Sequence, residues 1–173
     1  MSVVKKFKLK SAFNALFYIV IIILLLQRVP GLIDQYQMEG TKVSNVSLQL
    51  LSGEQIDLSR LPSEKILVFW ATWCAPCSLE LSRYSSAINE GELPKDKIFF
   101  VNMAESEKTI NKYMKKNAYT FNVVLDPNYQ HARNFKVEST PTVVHLSKSN
   151  EIKYIGSGFA PLGIQRAKWL FAQ

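Results

Sequence analysis

The feature that most restricts the fold of this chain is short: Ile66-Leu67-Val68-Phe69-Trp70, followed almost at once by Cys74-Ala75-Pro76-Cys77. A continuous apolar run of this length, set off by the turn-forming Leu61-Pro62-Ser63, reads as a strand buried on both faces of a sheet. From Cys77 to about Ile88, the positions Leu79, Leu81, Tyr84, Ala87 and Ile88 recur with helical spacing and stop at Asn89-Glu90-Gly91. The order is therefore strand, cysteine loop, helix, with Cys74 just before the first helical turn and Cys77 inside it. A helix N-terminus carries about half a positive charge and unpaired N–H groups, which favour a thiolate. Such settings lower a cysteine pKa from ~8.5 to ~3.5–7.5. Cys74 is thus the candidate nucleophile. Cys77, one turn on and facing inward, is the candidate resolving thiol that would attack a mixed disulfide and release the partner.

Other uses of the pair fit less well. These are the chain's only two cysteines, too few for a disulfide scaffold, and a bridge across two residues closes too small a loop to stabilise much. Zinc would need two more ligands, and the only histidines, His131 and His145, stand fourteen residues apart with no local pairing. No metal ligands are assigned. The Pro-x-x-x-Thr/Ser-x-x-Cys setting of a thiol peroxidase is absent. Redox exchange through a Cys74–Cys77 disulfide, with no other cofactor, is the reading. The alternative is a non-catalytic copper-binding assembly chaperone using the same thiols, since soft thiolates select Cu(I); the lack of an obvious third ligand stands against it.

The remaining chain alternates. Val46 to Leu50, a Ser52-Gly53 turn and Gln55 to Leu58 predict a hairpin. Ile98 to Val101 is a second buried strand, followed by a helix over 107–116 with Ile110, Tyr113 and Met114 inward, and a strand over 121–125 ending at Asp126-Pro127-Asn128. Gln130 to Phe135 reads as one or two helical turns. Thr142 to Leu146 and Glu151 to Ile155 read as a hairpin, and Pro161 to Phe171 as a last helix with the proline in its first turn. The fold class is α/β: a mixed central sheet flanked by helices, with an N-terminal β-hairpin.

Residues 1–34 are a separate object. Ala12 to Leu26 contains Asn14 as its only strongly polar residue; as a helix it would cover about 22 Å of a ~30 Å hydrocarbon core, so flanking residues would complete the crossing. Lys5, Lys6, Lys8 and Lys10 precede it, and only Arg28 and Lys42 follow closely. The positive-inside rule puts the N-terminus in the cytoplasm and residues 35–173 outside, in the periplasm or an equivalent space, on a single-pass transmembrane helix of the inner membrane. No A-x-A follows Leu26, Val29-Pro30-Gly31 being the nearest substitute for a cleavage site, so an uncleaved signal anchor is expected. No cysteine follows to make a lipoprotein. Of the net charge of +7, five basic residues against one acid fall in 1–34, and sixteen against thirteen in 35–173. The basic excess is mostly an orientation signal, the lysines of 108–116 read as a solvated helix face, and no nucleic-acid partner is expected.

Phe69-Trp70-Ala71-Thr72-Trp73-Cys74-Ala75-Pro76-Cys77, with Thr140-Pro141-Thr142 further on, resembles the thioredoxin-fold oxidoreductases. More narrowly, residues 43 to 160 resemble the membrane-anchored, extracytoplasmic thiol-disulfide oxidoreductases of the TlpA/ResA type, many of which act in cytochrome c maturation. The resemblance implies a protein-disulfide reductase whose partners are protein thiols and disulfides, possible apocytochrome c among them, and a membrane electron donor that restores the dithiol. It implies that Pro141 is a cis-proline opposite the cysteines, aiming the Thr140 backbone at an incoming extended substrate. Trp73 and Pro76 join Thr140 and Pro141 as implied substrate contacts, Trp73 also shielding the Cys74 sulfur, while Trp70 belongs to the core. Thioredoxin proper carries a buried Asp where this chain has Val68. Glu80, three residues beyond Cys77 on the same helix face, matches a glutamate of ResA-like members and would serve as acid and base, the other reading being an exposed helix carboxylate. His131 and His145 read as surface or sheet residues.

Overall fold

The computed structural model describes residues 14, 16–23, 37–44 and 46–172. The chain divides into two units, Met1–Asp34 and Gln35–Gln173. In the first, residues 16–23 are helical and their apolar side chains are largely exposed. The upstream lysines, both ends of the apolar run 12–26, the Val29-Pro30-Gly31 site and the 34/35 boundary lie outside the described residues. Among the described residues no helix is long and apolar enough to cross a membrane.

In the second unit a hairpin of β1 (Ser47–Gln49) and β2 (Gln55–Asp57) precedes β3 (Lys65–Trp70), α1 (Ala75–Asn89), β4 (Ile98–Met103) and α2 (Glu107–Lys116). Then come β5 (Asn122–Asp126), α3 (Gln130–Asn134), β6 (Thr142–Leu146), β7 (Ile152–Ser157) and α4 (Gly163–Phe171). The main sheet runs β5-β4-β3-β6-β7. Strands β3, β4 and β5 are parallel, joined through helices, while β6 and β7 return antiparallel. This is the mixed α/β sheet with an N-terminal hairpin that the sequence predicts.

All six residues of β3 are buried, because the sheet is covered on both faces and successive side chains alternate between them. Ile66, Val68 and Trp70 pack with Leu81 and Tyr84 of α1, Ile110 of α2 and Leu170 of α4. Leu67 and Phe69 face the opposite layer, with Leu48 of the hairpin and Ala132 and Phe135 at α3. Helix α2 occupies the span predicted for it, with Ile110 and Met114 buried. Its lysines Lys108, Lys112, Lys115 and Lys116 are in solvent.

Two boundaries differ from the sequence reading for physical reasons. Strand β3 begins one residue early, at Lys65, whose buried ammonium donates to the carbonyls of Leu61 at 2.6 Å and Ser63 at 2.7 Å. Helix α4 begins at Gly163 rather than Pro161. The carbonyls of Ala160 and Pro161 accept from Arg83 across the molecule, so this segment serves a tertiary contact before the helix starts.

Candidate active site

Register brings four segments to one edge. Trp70 at the end of β3 pairs with Asn102, Phe69 with Thr142, and Thr142 with Ser157. The loops leaving β3, β4 and β7 and the loop entering β6 therefore converge at the carboxyl end of the parallel strands, where open α/β sheets place their sites.

Cys74 is the N-cap of α1, in extended conformation, and is bonded to Cys77 through a disulfide with a Cα–Cα separation of 5.2 Å. Its sulfur accepts from the Cys77 N–H at 3.2 Å. This is the N-cap interaction usually made by an oxygen, and the same donor and helix dipole would serve a thiolate. Cys74 is 5% exposed and Cys77 fully buried, so what exposure the pair has belongs to Cys74. Pro76 lies in the first turn of α1, where its missing N–H removes no helical bond. Trp73, just before the cap, is 74% exposed, whereas Trp70 is buried in the core.

The Thr140–Pro141 peptide is cis. Pro141 is buried, Thr140 half-buried, and the Pro141 carbonyl accepts from Gly158 at 2.7 Å. Glu80 is fully buried, not an exposed helix carboxylate. Its Oε2 lies 3.4 Å from Arg83 Nη1, and its Oε1 has no hydrogen-bond partner. Burial pushes the Glu80 carboxyl above the ordinary carboxylate range, with Arg83 and the Ala160 backbone pulling the other way. A carboxyl held this way exchanges its proton closer to neutral pH than an exposed one.

The sequence profile of the Redoxin family matches residues 38–168. The chain belongs to the Redoxin family. It is 37% identical over 113 residues to a thioredoxin-like protein of Haemophilus influenzae, covering 62% of this chain and 64% of that one. It is 28% identical over 121 residues to the thiol-disulfide oxidoreductase ResA of Bacillus subtilis, covering 69% and 68% of the two chains. The crystal structure of StoA from the same organism superposes with a TM-score of 0.62 at 25% identity, covering 72% of this chain and 94% of that one. This Redoxin-family chain is thus a thioredoxin-like member of the thiol-disulfide oxidoreductases, whose redox group is a disulfide and not an external cofactor.

Two residues of this Redoxin site went unnoticed in the sequence. Glu105, on the loop after β4, accepts from the Thr72 backbone N–H at 2.7 Å, from the Thr72 hydroxyl, and from Asn102 Nδ2 at 2.8 Å. It bolts the loop carrying Trp73 and Cys74 to the neighbouring strand. Ala104, at φ 57° in the left-handed region, turns the chain just before it. The available signal was a carboxylate shortly after an apolar strand whose parallel neighbour precedes the cysteines. Arg83 is the second: its Nη1 donates to the Ala160 carbonyl at 2.8 Å and its Nη2 to that of Pro161 at 2.7 Å.

One of the two histidines needs correction. His131 is not a surface residue but is buried at α3, because the preceding Asp126 carboxylate accepts the backbone N–H groups of His131 and Ala132 and draws that turn inward. His145 is a sheet residue, buried in β6; desolvation and the nearby Arg166 charge push it down to about 4. No group of three or more His, Cys, Asp or Glu that could hold a metal ion occurs among the described residues.

Proposed function

We propose that this protein is a membrane-anchored, extracytoplasmic protein-disulfide reductase acting in cytochrome c maturation or a similar pathway. The observation that carries the reading is the asymmetry of the disulfide: Cys74 caps the helix and keeps a slight exposure, and Cys77 is fully buried one turn before a buried carboxyl. In the reduced protein the Cys74 thiolate attacks one sulfur of a substrate disulfide, forming a mixed disulfide and expelling a substrate thiolate. Cys77 passes its proton to the Glu80 carboxylate and attacks the Cys74 sulfur. The mixed disulfide breaks, the second substrate thiolate leaves, and Cys74 and Cys77 are left as a disulfide, having given up the two electrons that the substrate disulfide gained. A dithiol donor in the membrane returns those electrons. Exposed Trp73 and the Thr140–Pro141 segment supply contacts for an extended substrate.

Placement outside the cytoplasm rests on Lys5, Lys6, Lys8 and Lys10 ahead of the apolar run and on the exposed apolar helix of residues 16–23. A Cys77→Ser variant, expressed in the native host, should accumulate a mixed disulfide through Cys74, and the trapped partner names the substrate. A Cys74→Ser variant should trap nothing. Trapping by Cys74→Ser alone reverses the roles of the two thiols. A topology reporter fused after Gln173 that is active only in the cytoplasm contradicts the placement.

A further inference from the structure

Resting on that reading, we infer that Arg83 is a positioning residue with two linked tasks: it orients the Glu80 carboxyl behind the cysteines, and it fixes the strap Phe159–Pro161 beside Pro141 as a recognition element for apolar residues flanking a substrate disulfide. Three observations meet on this side chain. Arg83 pairs with Glu80. It donates to two consecutive strap carbonyls, those of Ala160 and Pro161. Its guanidinium lies over the Phe159 ring, 5.1 Å from the centroid, a cation–π distance. The strap starts at Gly158, whose N–H is held by the Pro141 carbonyl at 2.7 Å, so Phe159 follows directly on a residue tied to the cis-proline.

The packing gives neither partner an easy alternative. A Cβ on Gly163, the first residue of α4, would stand 2.9 Å from Glu80 Oε1, so the carboxyl is confined between α1 and the start of α4. The charged and titratable neighbours that act on it are Arg83 and Tyr84 on its own helix; Tyr154 of β7 acts on Tyr84 and accepts from Arg166 of α4 at 2.7 Å. Arg83 is the cation paired with it directly. The apolar character of the edge follows from Phe159, Trp73, Leu79 and Leu162, all exposed. Leu79 lies one turn before Arg83 on α1, and Leu162 caps α4 at the end of the strap.

A guanidinium can hold two carbonyls and a carboxylate at once in a planar fork, whereas an ammonium supplies charge without that fork. The test uses full-length protein in detergent and two probes: a ten-residue peptide with one internal disulfide flanked by leucines, and oxidised glutathione. Arg83→Met should raise KM for the peptide about tenfold, leave KM for glutathione within twofold, and move the Glu80-dependent limb of the pH–rate profile to higher pH with both probes. Arg83→Lys should restore the pH profile and leave the peptide KM raised, and Phe159→Ala should raise the peptide KM alone. A peptide KM within twofold of wild type in Arg83→Lys overturns the strap role. An unmoved pH limb in Arg83→Met overturns the Glu80 role, and so does failure of Arg83→Lys to restore it. Should Arg83→Met not fold, Arg83→Gln carries the same two predictions. Inactive wild-type protein with both probes would defeat the oxidoreductase reading itself, an outcome separate from these.

Discussion

The two flanks of the cysteine loop each carry a carboxylate, and they are built in opposite ways. Glu105 is half-buried and both its oxygens accept hydrogen bonds, from Thr72 and Asn102. Glu80 is fully buried, yet its Oε1 has no hydrogen-bond partner and its Oε2 meets Arg83 at a long 3.4 Å. A carboxylate with both oxygens satisfied holds structure. A buried carboxyl with spare hydrogen-bonding capacity costs stability when charged and is poised to take and give a proton. On the reaction proposed above, Glu105 holds the loop that carries Cys74 and Glu80 takes the Cys77 proton.

The largest effect that can break the contrast is catalytic. Glu80→Gln, nearly isosteric but unable to accept the Cys77 proton, should lower turnover about 100-fold at neutral pH, with a thermal midpoint no lower than wild type. Turnover within fivefold of wild type would assign the proton to another group. The next effect is structural. Glu105→Ala leaves the Thr72 N–H and the Asn102 amide without their charged acceptor and should cost about 2 kcal/mol in urea unfolding, with turnover falling less than tenfold. If Glu105→Ala is catalytically dead at native stability, the two flanks have been read the wrong way round.

The smallest effect concerns pH. The folded-state pKa of Glu80 is raised by burial, so between the ordinary carboxylate value and the raised one the unfolded chain ionises first. The associated stability is complete below the ordinary value and is lost as pH rises through the raised one. The urea midpoint of wild type relative to Glu80→Gln should therefore fall as pH rises above the ordinary carboxylate value and level off once the folded-state carboxyl is ionised. A difference that is flat, or of opposite slope, contradicts the burial of this carboxyl.

The contrast also marks what could be read from the residues alone. Strand β3, helix α2 and the cap at Cys74 were legible because local patterns dictate them: an apolar run, a 3.6-residue period, a cysteine pair opening a helix. Glu80 was legible through its spacing from Cys77 together with the glutamate that ResA-like members carry there. Glu105 and Arg83 were not, because their partners lie 33 and 77 residues away, at Thr72 and Ala160. Such bonds are fixed by which strands become neighbours, and no local period encodes that. The late start of α4 has the same origin, since Pro161 is a sound first-turn residue by itself but its carbonyl is taken by Arg83. The buried Lys65 likewise escaped a reading in which charge means surface.

The central claim is that the outer thiol attacks and the inner one resolves. The most direct test is timed alkylation of the fully reduced protein with iodoacetamide at pH 7, read by peptide mass. Cys74 should be modified at least tenfold faster than Cys77, because its sulfur caps the helix N-terminus and the residue keeps a slight exposure, whereas Cys77 is fully buried. Equal rates, or Cys77 labelled first, would contradict the assignment on which the proposed reaction rests.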